Sequence, residues 1–193
     1  MAIIKAVSSG ASLGHLMAYV DKKNALTRGK DCSDDRKDAI REMRLTKEIW
    51  EKRGGRQYKH YIQSFSPEES KQLSAQTVNE IGLKWAQQNF PGHEVFVSTH
   101  TDRGHTHNHF VVNSVNFETG RKLHLEKTAL ERFKTLSDEI CKHYGLSVLE
   151  RGQKLLRGDV RTYDTKKYQC LAQNKSYLAK AALDMNKALA LST

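Results

Sequence analysis

The chain has 193 residues, enough for one domain with a sizeable core. Lys+Arg exceed Asp+Glu by 32 to 22, a net charge of +10, so a polyanionic partner is expected and nucleic acid stands first. No apolar run reaches the ~18 residues of a membrane span and no signal-peptide core appears, so no membrane insertion and a cytoplasmic location are expected. The three widely spaced cysteines (Cys32, Cys141 and Cys170) form no CxxC pair and argue against a disulfide or thiolate-metal framework.

In chain order, residues 2–7 (AIIKAV) read as an opening strand and 8–12 as a loop. Leu13, Leu16, Met17 and Val20 have helical spacing, which predicts a short helix over 13–20 with Tyr19 off the apolar stripe. Residues 21–34 are polar and read as irregular. A helix is expected over 35–52, with Ile40, Met43 and Trp50 in phase and Gly54-Gly55 ending it. Residues 58–65 (YKHYIQSF) alternate like a strand that puts Tyr58, His60, Ile62 and Ser64 on one side. Ser66-Pro67-Glu68-Glu69 is a capping box with proline at the first helical position, opening a helix expected to run to about Asn89 and to bury Val78, Ile81 and Trp85. Pro91-Gly92 breaks it. Two Val- and Phe-rich strands follow, 94–101 and 107–115, joined by the turn signal Asp102-Arg103-Gly104. A helix is expected over 126–144, with Leu130, Phe133, Ser137 and Ile140 inward and Gly145 as its stop. Residues 151–193 carry nine Lys/Arg against three Asp/Glu and are read as a basic, partly helical extension (helix over 176–191) or the start of a linker. The expected fold is α+β: a central antiparallel β-sheet with helices packed on it and a metal-binding histidine hairpin in the sheet.

Four of the nine histidines fall between residues 100 and 109. His107 and His109 are two apart, so on a strand they share a face, and a hairpin partner can set His100 opposite them. A metal site needs three converging donors, which favours His100, His107 and His109, with Asp102 placed to act behind them. His105, His107 and His109 are the other set, but three alternate positions on one strand enclose an ion poorly. Imidazole alone leaves Zn, Cu, Fe, Ni and Mn open. A metal on a basic protein suggests phosphodiester chemistry, with either water or a tyrosine as nucleophile. Tyrosine ionises near pH 10, so a cation beside it would assist attack.

Several ordered motifs resemble the MobP-type conjugative relaxases, within the histidine-hydrophobe-histidine endonuclease class. Leu16-Met-Ala-Tyr19-Val20 is similar to that family's tyrosine motif, and Gly29-Lys-Asp-Cys32-Ser to the stretch after it. The segment from Tyr58 to Glu69 resembles the second motif, a strand with a DNA-contacting serine. Thr99-His100-Thr-Asp102, His107-Asn-His109 and Asn113-Ser-Val resemble the third, and 119–124 and 143–147 fit the same pattern. The one departure is Asn108, where the class name implies an apolar residue.

The resemblance covers residues 1–150, which are expected to form the nicking core. It implies a relaxase of a conjugative or mobilizable element. Tyr19 would attack one strand at the origin of transfer, leaving a 5′-phosphotyrosyl adduct and a free 3′-OH, and the reverse attack would rejoin the strand. His100, His107 and His109 would hold one divalent ion, Mn or Mg first, with Zn or Ni as alternatives. Asp102 would orient a ligand histidine or take the tyrosine proton, and Ser64 would contact DNA. Arg56, Lys59, Arg121 and Lys122 flank the motifs as candidate phosphate contacts. The implied partners are single-stranded or locally melted origin DNA, accessory relaxosome proteins and a coupling protein. Three rival readings are a rolling-circle replication initiator, which usually places its tyrosine after the histidines, a water-using metallonuclease, and a DNA-binding module without catalysis.

Overall fold

A five-stranded antiparallel sheet organises the chain, seen in a computed structural model that describes residues 2–7, 12–102 and 104–148. The expected helix over 176–191 and the whole stretch 151–193 lie outside the described residues. The elements are β1 (Ile3–Val7), α1 (Leu13–Val20), β2 (Leu26–Lys30), α2 (Arg36–Ile49), β3 (Tyr58–Ser64), α3 (Pro67–Gln72), α4 (Ala75–Asn89), β4 (Val95–His100), β5 (His107–Asn113) and α5 (Ala129–His143). The strand order is β1-β3-β5-β4-β2, so β5 is the middle strand and the histidine hairpin is central. Every residue of β4 and β5 is buried, because helices cover both faces.

Strand alternation sorts the side chains into two layers. Tyr58, Phe96 and Val111 pack with α1 and α2 through Leu13, Leu16, Met17, Val20, Ala39 and Met43. Tyr61, Val95, Val97, Phe110 and Val112 pack the other way, onto α4 and α5 through Val78, Ile81, Trp85, Phe133 and Ile140. Trp85 anchors that second layer: its indole donates to the Phe133 carbonyl at 2.9 Å, and rings of Tyr61, Phe90, Phe110 and Phe133 surround it.

Three local expectations differ from the structure. The helix expected over 66–89 is two helices, because Leu73 is extended and Ser74 caps a new start by accepting from the Thr77 N–H. The stretch read as irregular contains β2. Leu-Thr-Arg-Gly-Lys has little apolar alternation because it is an edge strand, held by its ladder to β4 from Leu26↔Thr99 to Lys30↔Val95. Gly29 is needed there, since a Cβ would stand 1.9 Å from the Cys32 carbonyl oxygen. Trp50 keeps the spacing of the buried face of α2, which is Ala39, Met43, Thr46 and Lys47, but it stands past the last turn and is 38% exposed. It caps the helix, donates to the Phe117 carbonyl at 3.1 Å and covers Gly120.

Asn108 departs from the class pattern for a reason visible in the packing. It points away from the histidines into the layer beneath α4. There its amide donates to Gln63 Oε1 (3.0 Å) and the Val78 carbonyl (2.8 Å), and its oxygen accepts from Thr99 Oγ1 (2.6 Å). Asn79 and Ser137 extend this buried chain at its two ends. A fully partnered network of this kind carries little desolvation penalty and locks the strand in place.

Gly82 of α4 makes room for it: a Cβ there would meet Asn108 Nδ2 at 2.5 Å and Phe110 Cε1 at 3.3 Å. Because that amide is held by three partners, Gly82→Ala is expected to destabilise the protein by about 1–3 kcal/mol through overpacking. A urea melt checks this, and an unchanged midpoint would show that Asn108 gives way freely.

Candidate active site

The β4–β5 register places His100 directly opposite His107, and His109 follows on the same face. Their rings lie 4.5 to 5.1 Å apart by centroid. Each offers one nitrogen within 4.8 Å of the others', and all three are buried. Among the described residues this is the one group of three or more potential metal-binding side chains. His105 stands outside it, with its ring 5.4 Å from that of His107.

Each ring has one nitrogen occupied and one free. His100 Nε2 meets the Val20 carbonyl at 2.6 Å, leaving Nδ1 buried without a partner. His107 Nδ1 faces the His105 carbonyl at 3.3 Å, and His109 Nδ1 faces His60 Nε2 at 2.9 Å. Metal-ligating histidines show this pattern, one ring nitrogen anchored and the other presented. The donor set therefore fits a divalent ion. Burial lowers the imidazole pKa of His60 to about 4 and, helped by neighbouring histidines, that of His109 to about 2; it also lowers that of His107. All three stay neutral near pH 7, the form that ligates.

Tyr19 is 52% exposed, with its ring edge-on to His109 at 5.8 Å. The local sequence dictates this: Leu13, Leu16, Met17 and Val20 bury one side of α1 and leave Tyr19 off it. Ser98 Oγ and His100 Nε2 both bond the Val20 carbonyl, which ties the end of α1 to β4. Tyr58 and Tyr61 are instead core residues, and burial pushes the Tyr61 hydroxyl up to about 12. Lys22 lies 5.3 Å from the Tyr19 ring centre and 3.3 Å from an Asp102 oxygen. Asp102 thus meets an ammonium, while the anchored histidine nitrogens are taken by Val20, His105 and His60. Ser64 lies opposite His107 on the neighbouring strand, half-buried on the histidine face.

Arg56, Lys59, Arg121 and Lys122 are not at this end. Lys59 pairs with Val112, Lys122 bridges to Val115, and Lys122 Nζ reaches the Gly54 carbonyl, all at the Asn113 end of β5. At ~3.3 Å per residue along β5, Lys59 lies roughly 10 Å and Lys122 roughly 20 Å beyond His109. Sequence reasoning missed Lys22 and the role of His60. His60 did carry a signal, since it shares strand parity with Ser64, but only the register brings it to His109.

The chain matches the family model described as "Relaxase: MobA/VirD2-like, nuclease domain" over residues 15–146. It is 37% identical over 146 residues to the protein rlx of Staphylococcus aureus, covering 76% of this chain and 45% of that protein. It is also 32% identical to the group II intron-interrupted relaxase LtrB of Lactococcus lactis subsp. cremoris, covering 67% of this chain and 25% of that one. The chain therefore spans less than half the length of these curated relatives. Its fold is similar to that of the MobM relaxase domain (MOBV; Mob_Pre), solved Mn-bound with plasmid pMV158 oriT DNA. The TM-score is 0.57 at 16% identity, covering 87% of this chain and 97% of that one. A second MobM structure, with 26-nucleotide oriT DNA, gives 0.56 at 17% identity, covering 87% and 98%.

The lowered histidine pKa values set a pH dependence of stability. Below about pH 6.5 the unfolded chain binds protons that the folded chain refuses, so stability is complete above that value and declines as pH falls toward about 4. Urea midpoints of the metal-stripped protein are expected to drop between about pH 7 and about pH 5. A flat profile across that window would show that these rings are hydrated.

Proposed function

The chain belongs to the MobA/VirD2-like relaxase nuclease-domain family, and from this premise we propose that it nicks one DNA strand at the origin of transfer of a conjugative or mobilizable element. The observation that carries this reading is an exposed tyrosine, Tyr19, set edge-on to one of three buried, converging histidines. Tyr19 Oη attacks the scissile phosphorus and the bond from phosphorus to the 3′ oxygen breaks. That oxygen takes up a proton to become a free 3′-OH, and the 5′ phosphate stays on Tyr19 as an ester. Attack by a 3′-OH on that ester runs the reaction backwards and rejoins the strand.

His100, His107 and His109 would hold a divalent ion, which would supply Lewis-acid polarisation of the scissile phosphate. Mn or Mg suits the reading, and the Mn-bound MobM structures support Mn. Asp102 is assigned to the tyrosine side, where it pairs with Lys22 beside the phenol and would receive its proton. The Lys22 ammonium meets a non-bridging phosphate oxygen, and Ser64 contacts the backbone of the strand entering past His107. Arg56, Lys59, Arg121 and Lys122 hold phosphates farther along the DNA, where salt-dependent affinity resides. Residues 1–150 are the nicking core and 151–193 its basic extension.

Single-stranded or locally melted origin DNA is the substrate, since an exposed phenol beside a buried metal site reaches one strand only. The MobM complexes with oriT DNA support an origin of transfer as the target. Accessory relaxosome proteins and a coupling protein are the expected partners in the cytoplasm. No helix among the described residues is long and apolar enough to cross a membrane.

Incubation with Mn²⁺ and a labelled single strand carrying the element's own origin, followed by a denaturing gel, tests the reading. A shifted protein–DNA band is expected, absent with Tyr19→Phe, and reduced on the order of 10²–10³-fold in rate with His107→Ala. Cleavage without a covalent band would replace Tyr19 by water, and binding without cleavage would leave a DNA-binding module.

A further inference from the structure

His100 and His107 are anchored by backbone carbonyls, which only accept hydrogen bonds, so their tautomers are set by the main chain. His109 differs. Its anchor is a second imidazole, His60, 2.9 Å away on the neighbouring strand, with the two rings 22° from parallel. His60 pairs with Val111 and His109 with Ile62, so the two are diagonal neighbours on one face. His60 is 4% exposed and its Nδ1 has no partner.

An imidazole either donates or accepts, so this contact has two directions. If His60 Nε2–H donates, the His109 proton sits on Nε2, the nitrogen turned to the site, and that ligand position is closed. If His109 Nδ1–H donates, Nε2 is open and the His60 proton sits on its own Nδ1. We propose that His60 is a positioning residue for the metal site: by accepting from His109 Nδ1–H it holds His109 in the tautomer that presents Nε2 to the ion. This rests on the metal reading given above. The group that matters at residue 60 is then an acceptor, which a glutamine oxygen supplies and a leucine does not. Outer partners of ligand histidines commonly carry 10- to 100-fold in metal affinity.

Calorimetric titration of the 193-residue chain with Mn²⁺, with circular dichroism to confirm folding, tests the assignment. His60→Leu is expected to weaken Mn²⁺ binding about 10- to 100-fold, and His60→Gln to stay within a few-fold of the parent. Equal affinity in parent and His60→Leu overturns the inference, as does a loss in His60→Gln as large as that in His60→Leu. If His60→Leu does not fold, nitrogen-15 spectra of the parent histidines with Zn²⁺ decide. His109 must carry its proton on Nδ1 and show coupling across the hydrogen bond to His60 Nε2. A proton on Nε2, or no coupling, overturns it. A parent that binds no divalent ion overturns the metal reading itself, and this inference with it. A parent that binds normally confines any failure to His60.

Discussion

The carbonyl oxygen of Val20 holds the candidate site together. It belongs to the last turn of a short helix, where main-chain oxygens have no partner within the helix and must find one elsewhere. This one accepts from Ser98 Oγ and His100 Nε2, both at 2.6 Å. A single acceptor thus fixes which His100 nitrogen remains free and where the residue before it, Tyr19, stands. Were α1 to shift by a turn, the tyrosine would leave His109 and the histidine would lose its anchor together. Tyr19 and His100 are therefore coupled through one backbone atom, in addition to the edge-on ring contact of Tyr19 with His109.

The sheet makes such coupling rigid. β4 and β5 are buried on both faces, so each must satisfy two environments with alternate residues. One face carries His100, His107 and His109 under α1; the other carries Thr99 and Asn108 under α4. A slip of one residue would exchange the two sets, putting imidazoles into the aromatic layer around Trp85 and the Asn108 network into the site. The polar chain through Ser137, Gln63, Asn108, Thr99 and Asn79 thus pins the register on which the histidine face depends. The polar residue between the two histidines is part of this support.

Charge is divided along the sheet. Lys22 is at the histidine end with Asp102 beside it, while Arg56, Lys59, Arg121 and Lys122 gather near the Asn113 end. His60, His107 and His109 resist charging because desolvation outweighs any gain from it, so the basic character of the chain resides in its lysines and arginines.

Period and punctuation were legible without coordinates. The alternation in 58–65 and 94–115, the helical spacing in 13–20, and the caps at Ser66 and Gly145 each report a local preference that a chain carries wherever it folds. The same arithmetic set His107 and His109 on one face. The edge strand β2 was illegible because its stability comes from the ladder to β4, not from its own side chains. The break at Ser74 was hidden because α3, the polar run Pro67–Gln72, has no apolar period of its own whose end could mark it. Pairings between distant segments were decided only by tertiary structure: His60 against His109, Lys22 between Tyr19 and Asp102, Val20 beneath His100, and the basic residues far from the site their motifs flank. Sequence determines which residues share a face, because that follows from backbone geometry. Which faces meet depends on register and helix docking, and these are settled by packing the whole sheet at once.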